Sequence, residues 1–246
     1  MNQVKLILVY ALSVGLNFSG FCQDVDGTAR VSFDFSVFPL EPGNWTGILY
    51  APNGDPEKGT KELLFNPHER TLGFSYNGPT PVVFFREMTN SEGVIEFQRV
   101  GTIDPGEGKL RDDIMLFFLP LSETETYNVS FMFDSPNTFP EDSLVFFNTT
   151  GATFFGILGE ERLRLAPGAS EPIDLNGYFE EPTPIGLVIE REEGYQKVLM
   201  NKLRFSPDRR TLMILRSPKN PNSFRIRTQR LTEYTGSRGS SDVLEP

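Results

Sequence analysis

Thiol and imidazole chemistry is almost missing from this chain: in 246 residues Cys22 is the single cysteine and His68 the single histidine. One cysteine cannot close a disulfide within the chain, and a structural zinc site takes about four Cys or His ligands, so neither framework is available. Also missing are a Gly-rich phosphate loop followed by lysine, a dinucleotide fingerprint and an H-E-x-x-H pair. No cofactor or metal is expected. His68 could in principle serve a serine triad, but it holds the third position of a predicted hairpin turn, where a turn residue is the simpler reading. Helical periodicity is lacking too. After residue 22 no stretch places apolar residues at i, i+3, i+4 over three turns, and 19 prolines with 22 glycines interrupt the chain too often for long helices.

Long apolar runs are scarce, and the longest lies at the start. Met1–Lys5 precede an apolar run from Leu6 to Leu16, and Gly20 and Cys22 put small side chains before Gln23. That layout is the pattern of a signal peptide over residues 1–22, cleaved before Gln23, with a core too short for the roughly 20 residues of a membrane-spanning helix. Nothing later approaches that length, so no transmembrane segment is expected and the chain is read as exported, to the periplasm or the medium. Residues 236–246 form a Gly- and Ser-rich tail that reads as disordered.

What is abundant is strand pattern. Val31-Ser32-Phe33-Asp34-Phe35-Ser36-Val37 alternates apolar with small or polar residues, a period of two. Comparable runs fall at 46–51, 80–86, 94–100, 114–119, 127–133, 143–148, 152–158, 185–190, 210–216 and 223–231, separated by Gly, Pro, Asn and Asp clusters. The fold class is therefore all-β, sandwich-like or barrel-like. An internal echo divides the chain: Leu63-Leu64-Phe65-Asn66-Pro67-His68-Glu69-Arg70-Thr71-Leu72 returns as Leu203-Arg204-Phe205-Ser206-Pro207-Asp208-Arg209-Arg210-Thr211-Leu212. Each copy reads as strand, turn, strand, with Asn66 or Ser206 bonding its own backbone and the proline fixing the next φ. Two related β units are inferred, 23–120 and 121–235.

Four pairs, Phe84-Phe85, Phe117-Phe118, Phe146-Phe147 and Phe154-Phe155, carry a structural demand. Neighbours in a strand face opposite sides, so each pair needs apolar cover on both faces, from a second layer, the other unit or a partner.

Chemistry is harder to find. Paired carboxylates are the remaining route to hydrolysis, and Asp112-Asp113, Glu160-Glu161 and Asp134 with Asp142 qualify by position, but among 33 acidic residues such pairs arise by chance and read as solvated loop acids. Asp24-Val25-Asp26-Gly27 and Asp55 offer oxygen ligands without EF-hand spacing. Phe is heavily favoured over Tyr and Trp, 22 against 7 and 1, leaving Trp45, Tyr50 and Tyr76 as the one candidate set for stacking on a glycan.

The net charge of −10 is unevenly spread. Residues 182–238 hold 12 Lys and Arg against 5 Asp and Glu, a balance of +7, which leaves −17 elsewhere. Within that stretch Phe224-Arg225-Ile226-Arg227-Thr228-Gln229-Arg230 reads as a half-buried strand with Arg225, Arg227 and Gln229 on one face. Its cations, Arg230 included, either guard a strand edge or receive an anionic partner. Because the bases are spread along strands instead of forming an arm, nucleic acid is not the expected partner.

Asp134-Ser135-Pro136-Asn137-Thr138-Phe139-Pro140-Glu141-Asp142-Ser143, then Phe146–Gly151, Leu165-Ala166-Pro167-Gly168 and Phe205–Leu212, resemble a group of exported bacterial all-β proteins to which no activity is assigned. The resemblance implies an exported β protein and transfers no site. The functional expectation is a non-enzymatic binding or structural module of the cell envelope or secreted fraction, meeting a protein or an envelope polymer, with self-association through strand edges as a further expectation. The alternative is a carbohydrate-binding module or a glycan hydrolase built on paired carboxylates.

Overall fold

The structure, a computed structural model, describes residues 30–106, 113–121 and 125–235. The expected leader, Asp24–Gly27, Asp112 and the 236–246 tail lie outside them. The first half contributes β1 (Arg30–Pro39), β2 (Leu49–Tyr50), β3 (Lys61–Glu62), β4 (Thr71–Pro79), β5 (Val82–Thr89), β6 (Ile95–Ile103), β7 (Ile114–Pro120) and β8 (Tyr127–Phe133). The second contributes β9 (Ser143–Asn148), β10 (Phe154–Leu158), β11 (Glu161–Leu165), β12 (Gly168–Ala169), β13 (Ile173–Asp174), β14 (Thr183–Arg191), β15 (Gly194–Leu203), β16 (Arg209–Arg216) and β17 (Arg227–Tyr234). A single 3-10 turn, Pro56–Lys58, is the one helical element among the described residues.

These strands make four sheets and no closed barrel. A first outer sheet runs β3-β2-β5-β6, a first inner sheet β4-β1-β7-β8, a second inner sheet β12-β9-β16-β17 with β13 also on β9, and a second outer sheet β11-β10-β14-β15. Three apolar layers join them in that order. Phe35, Tyr50, Phe84 and Phe118 lie between the first outer and inner sheets, and Phe146, Phe154, Leu187 and Met213 between the second pair. The two inner sheets meet face to face over Phe38, Phe117, Phe147 and Ile214, where the Phe117 and Phe147 rings stack with centroids 4.2 Å apart.

That arrangement answers the Phe pairs. An inner sheet is covered on both faces, so consecutive rings can both be buried: Phe118 enters the first sandwich and Phe117 the seam, Phe146 the second sandwich and Phe147 the seam. Phe84 and Phe154 are buried likewise, but they sit in outer sheets. Their neighbours Phe85 and Phe155 therefore turn outward and rest beside Phe97 and Tyr195.

Strand orders in the two halves correspond element by element. β1 pairs in parallel with β7, and β9 with β16; β8 and β17 then close one edge of each inner sheet. Two features of the sequence reading are corrected here. A boundary at 120/121 would cut the β7–β8 hairpin, whose strands pair from Ile114↔Phe133 to Pro120↔Tyr127; the chain passes between halves at Asp134–Asp142 instead. The echo of 63–72 in 203–212 also fails to mark corresponding places. The first copy bridges β3 and β4, the second β15 and β16. The two turns also differ in detail: Asn66 Oδ1 accepts the His68 N–H at 2.9 Å in the first, whereas in the second Asp208 stands in the left-handed region at φ 57°, which Asp tolerates.

Candidate functional site

Strands β1, β7, β9 and β16 end on the same side of the seam, and a cleft of about 760 Å³ opens there. Leu40 and Glu41 follow β1, Arg216 ends β16, Arg227 opens β17, and Trp45 and Lys219 come from the adjoining loops. Of the residues singled out from the sequence, Trp45 and Arg227 are thus brought together. Three cations face one carboxylate.

The geometry is set from below. Arg86 lies in the same row of β5 as Val82 and Phe84, a row that faces the first core. Buried there, its Nη2 donates to Asn44 O at 2.5 Å and to the Tyr127 hydroxyl at 2.6 Å, and Tyr127 in turn donates to Asn44 O. These bonds tie down the loop that carries Trp45. The indole is half-buried, with Tyr127 at 5.2 Å and Phe65 at 4.9 Å between ring centroids. On the opposite wall Arg216 Nη1 donates to Leu40 O and lies 3.4 Å from Glu41. Arg227 pairs with the same carboxylate through Nη2, while its Nε donates to Ser217 O at 2.9 Å. Lys219 is exposed and makes no ion pair among the described residues.

Burial pushes the Glu41 carboxyl up, but the hydrogen bond from Arg227 and the fields of Arg216, Arg227 and Lys219 together outweigh it and hold Glu41 below its ordinary value of 4.5. A depressed carboxylate contributes stability that is present above its unfolded value and is lost as pH falls through the folded one. Glu41→Gln is therefore expected to lower the urea midpoint at neutral pH and to differ less and less from the parent as pH drops below about 4.5. A midpoint difference that stayed constant down to about pH 3 would refute the coupling.

The other candidates disperse. Tyr50 and Tyr76 are buried in the first core, not displayed beside Trp45, so no three-ring stacking face exists. Burial raises both phenols, Tyr76 to about 12, and the Tyr76 hydroxyl donates to Pro79 O at 2.5 Å. The three arginines also part. Arg227 faces the seam in the row of Leu231. Arg230 points to the opposite side, where it lies over the Phe205 ring at 5.3 Å and donates to Arg204 O at 2.8 Å. Arg225 precedes β17 and is exposed. The sequence alternation assumed that β17 began at 223; it begins at Arg227.

Among the acids, Glu160 and Glu161 are exposed, His68 is exposed in its turn, and Asp55 caps the 3-10 turn and pairs with Lys58 at 2.9 Å. Asp134 is not a solvated loop acid. It is buried, pairs with Arg70, and lies 3.0 Å from Arg210 Nη2, an ion contact out of line for a hydrogen bond. Glu233 completes the group, 2.5 Å from Arg70 Nε and 2.9 Å from Arg210 Nη2. This quartet spans the seam at the end opposite the cleft, with Arg210 and Arg216 at the two ends of β16. No described group of three or more His, Cys, Asp or Glu is placed to hold a metal ion, and no described helix is long and apolar enough to cross a membrane.

Glu41, Lys219, Arg216 and Arg86 escaped the sequence reading. Arg86 alone left a signal, a charged residue in the core row of an apolar strand. Compared with known families and curated proteins, the chain matches no family model and no curated sequence.

Proposed function

We propose that this is a non-enzymatic, exported binding module of the cell envelope or secreted fraction, and that its binding surface is the seam cleft. The observation that carries the reading is the convergence of Trp45 with Arg216, Lys219 and Arg227 in one trough walled by both halves of the molecule. Concave sites with an apolar body and a few fixed polar groups are where ligands bind. The leader pattern of residues 1–22 supports export, and the corresponding strand orders support an origin by duplication that left a seam between two sandwiches. The carboxylate pairs give the hydrolase alternative little: Asp134 is committed to two arginines, and Glu160 and Glu161 stand exposed beside a tight turn.

Crosslinking the tagged chain in its native cells and mapping the attachment sites by mass spectrometry tests this. The expected result is a reproducible partner or polymer attached within 41–45 or 219–229. Attachment confined to other surfaces, or none, overturns the placement of the binding surface in the cleft.

A further inference from the structure

The topological correspondence supplies an internal control for the cleft. Exchanging β1 for β9, β16 for β7 and β17 for β8 leads to a second trough of about 380 Å³, walled by the ends of β7 and β9 and the start of β8. There Asn148 ends β9 and Thr149 follows it as Pro39 ends β1 and Leu40 follows it, and Asn128, paired with Leu119, stands on β8 where Arg227, paired with Arg216, stands on β17. That trough contains no lysine or arginine; its one charged residue is Asp104. The fold therefore closes this end of an inner sheet without cations. Arg216, Lys219 and Arg227 are additions on one side, and they exceed Glu41 by two charges.

Burial sharpens the point. Arg216 is pulled below its ordinary value chiefly by desolvation, and its Nε is buried with no partner. Holding a guanidinium this way is unfavourable unless a second negative charge compensates. Glu41 is shared between Arg216 and Arg227 and cannot neutralise both, and Lys219, exposed at the rim, makes no ion pair among the described residues.

Trp45, Pro39, Pro42 and Pro67 give the same trough rigid ring walls. Ring faces suit the C–H faces of sugars, and an open trough admits a run of polymer in addition to an isolated ion.

On the reading that this cleft is the binding surface, we propose that its ligand is a carboxylated polysaccharide, with uronate carboxylates received by Lys219 and Arg227 and sugar rings lying along Trp45 and the prolines. The second trough, lined by Asp104 and no cation, takes no part in carboxylate recognition.

Trp45 is the single tryptophan, so its emission reports the cleft directly. Titration of the full chain with hexagalacturonate at low salt, followed by Trp45 fluorescence and calorimetry, is expected to give a saturable signal that weakens as salt is raised, with cellohexaose silent. Lys219→Gln, at an exposed position without an ion pair, should leave the melting temperature unchanged and weaken hexagalacturonate about two- to fivefold, whereas Asn128→Ala in the second trough should not. Equal losses from both variants would overturn the site. Binding of hexaglutamate in place of hexagalacturonate would overturn the sugar class and leave the cleft as a binding surface. Silence of both anions, with crosslinks still mapping to 41–45 or 219–229, would overturn the charge argument alone.

Discussion

Replacing Phe117 with alanine is expected to cost about 3–5 kcal/mol, the range for emptying the space of a fully buried aromatic ring. Phe117 is fully buried and packs at 4.2 Å on Phe147 across the seam. Neither sandwich loses a residue of its own core, because Phe117 belongs to the middle layer. Phe118→Ala removes an equally buried ring from the first sandwich, and the two variants should differ in kind. Trp45 packs its ring on Phe65 and Tyr127 of the first half and so follows chiefly the unfolding of that half, while far-UV circular dichroism follows strands in both. In urea the two signals should coincide for the parent and for Phe118→Ala, and separate for Phe117→Ala as the sandwiches uncouple. A loss below about 1 kcal/mol, or coincident transitions, would mean that the inner sheets are held together by something other than this layer.

The strands read from the sequence include the three that this layering buries twice, alongside outer and edge strands such as β5, β6, β8 and β17. Residues 114–118, 143–148 and 211–215 are buried without a break, and continuous apolar runs marked all three. The strands that went unread are β3, β11, β12 and β13, while β4 and β15 were read only where the echo touches them, at Thr71-Leu72 and Leu203, and all six lie at or beside sheet edges. An edge strand needs only one covered face and keeps polar residues to discourage further pairing. β15 accordingly reads Gly-Tyr-Gln-Lys-Val-Leu-Met-Asn-Lys-Leu, and β4 carries Gly73 and Asn77-Gly78-Pro79. Sheet order was not legible, since parallel pairing of β1 with β7 joins residues about 80 apart with no local signal.

For the site, strand alternation placed Arg227 on a polar side, but alternation describes one strand and says nothing of what stands opposite. The opposing residue is Glu41, in a loop more than 170 residues earlier. The echo likewise flagged Arg70 and Arg210 at matching positions without showing that both reach one carboxylate.

That shared carboxylate carries the second large effect. Asp134→Ala is expected to destabilise the protein by about 3–5 kcal/mol, because it strands two guanidiniums whose side chains are only 14% and 11% exposed. Glu233 alone would remain for both, and it is itself partly open to water at 25%. Most of the cost is the uncompensated burial of charge, not the loss of an attraction, and a double-mutant cycle separates the two. Adding Arg70→Leu to Asp134→Ala removes one stranded cation and puts an apolar side chain against the seam. It should recover a large part of the loss, while Arg210 keeps Glu233 and the Phe139 carbonyl at 3.2 Å. Arg70→Leu alone should be milder than Asp134→Ala, since Asp134 retains Arg210. Strict additivity of the two single losses would show that Arg70 and Asp134 act independently, and the quartet would then not be the clasp that joins the first half to β16 and β17. A positive coupling instead assigns the two ends of β16 different work: the Arg210 end is neutralised internally and holds the halves together, whereas the Arg216 end keeps an excess of positive charge facing the cleft.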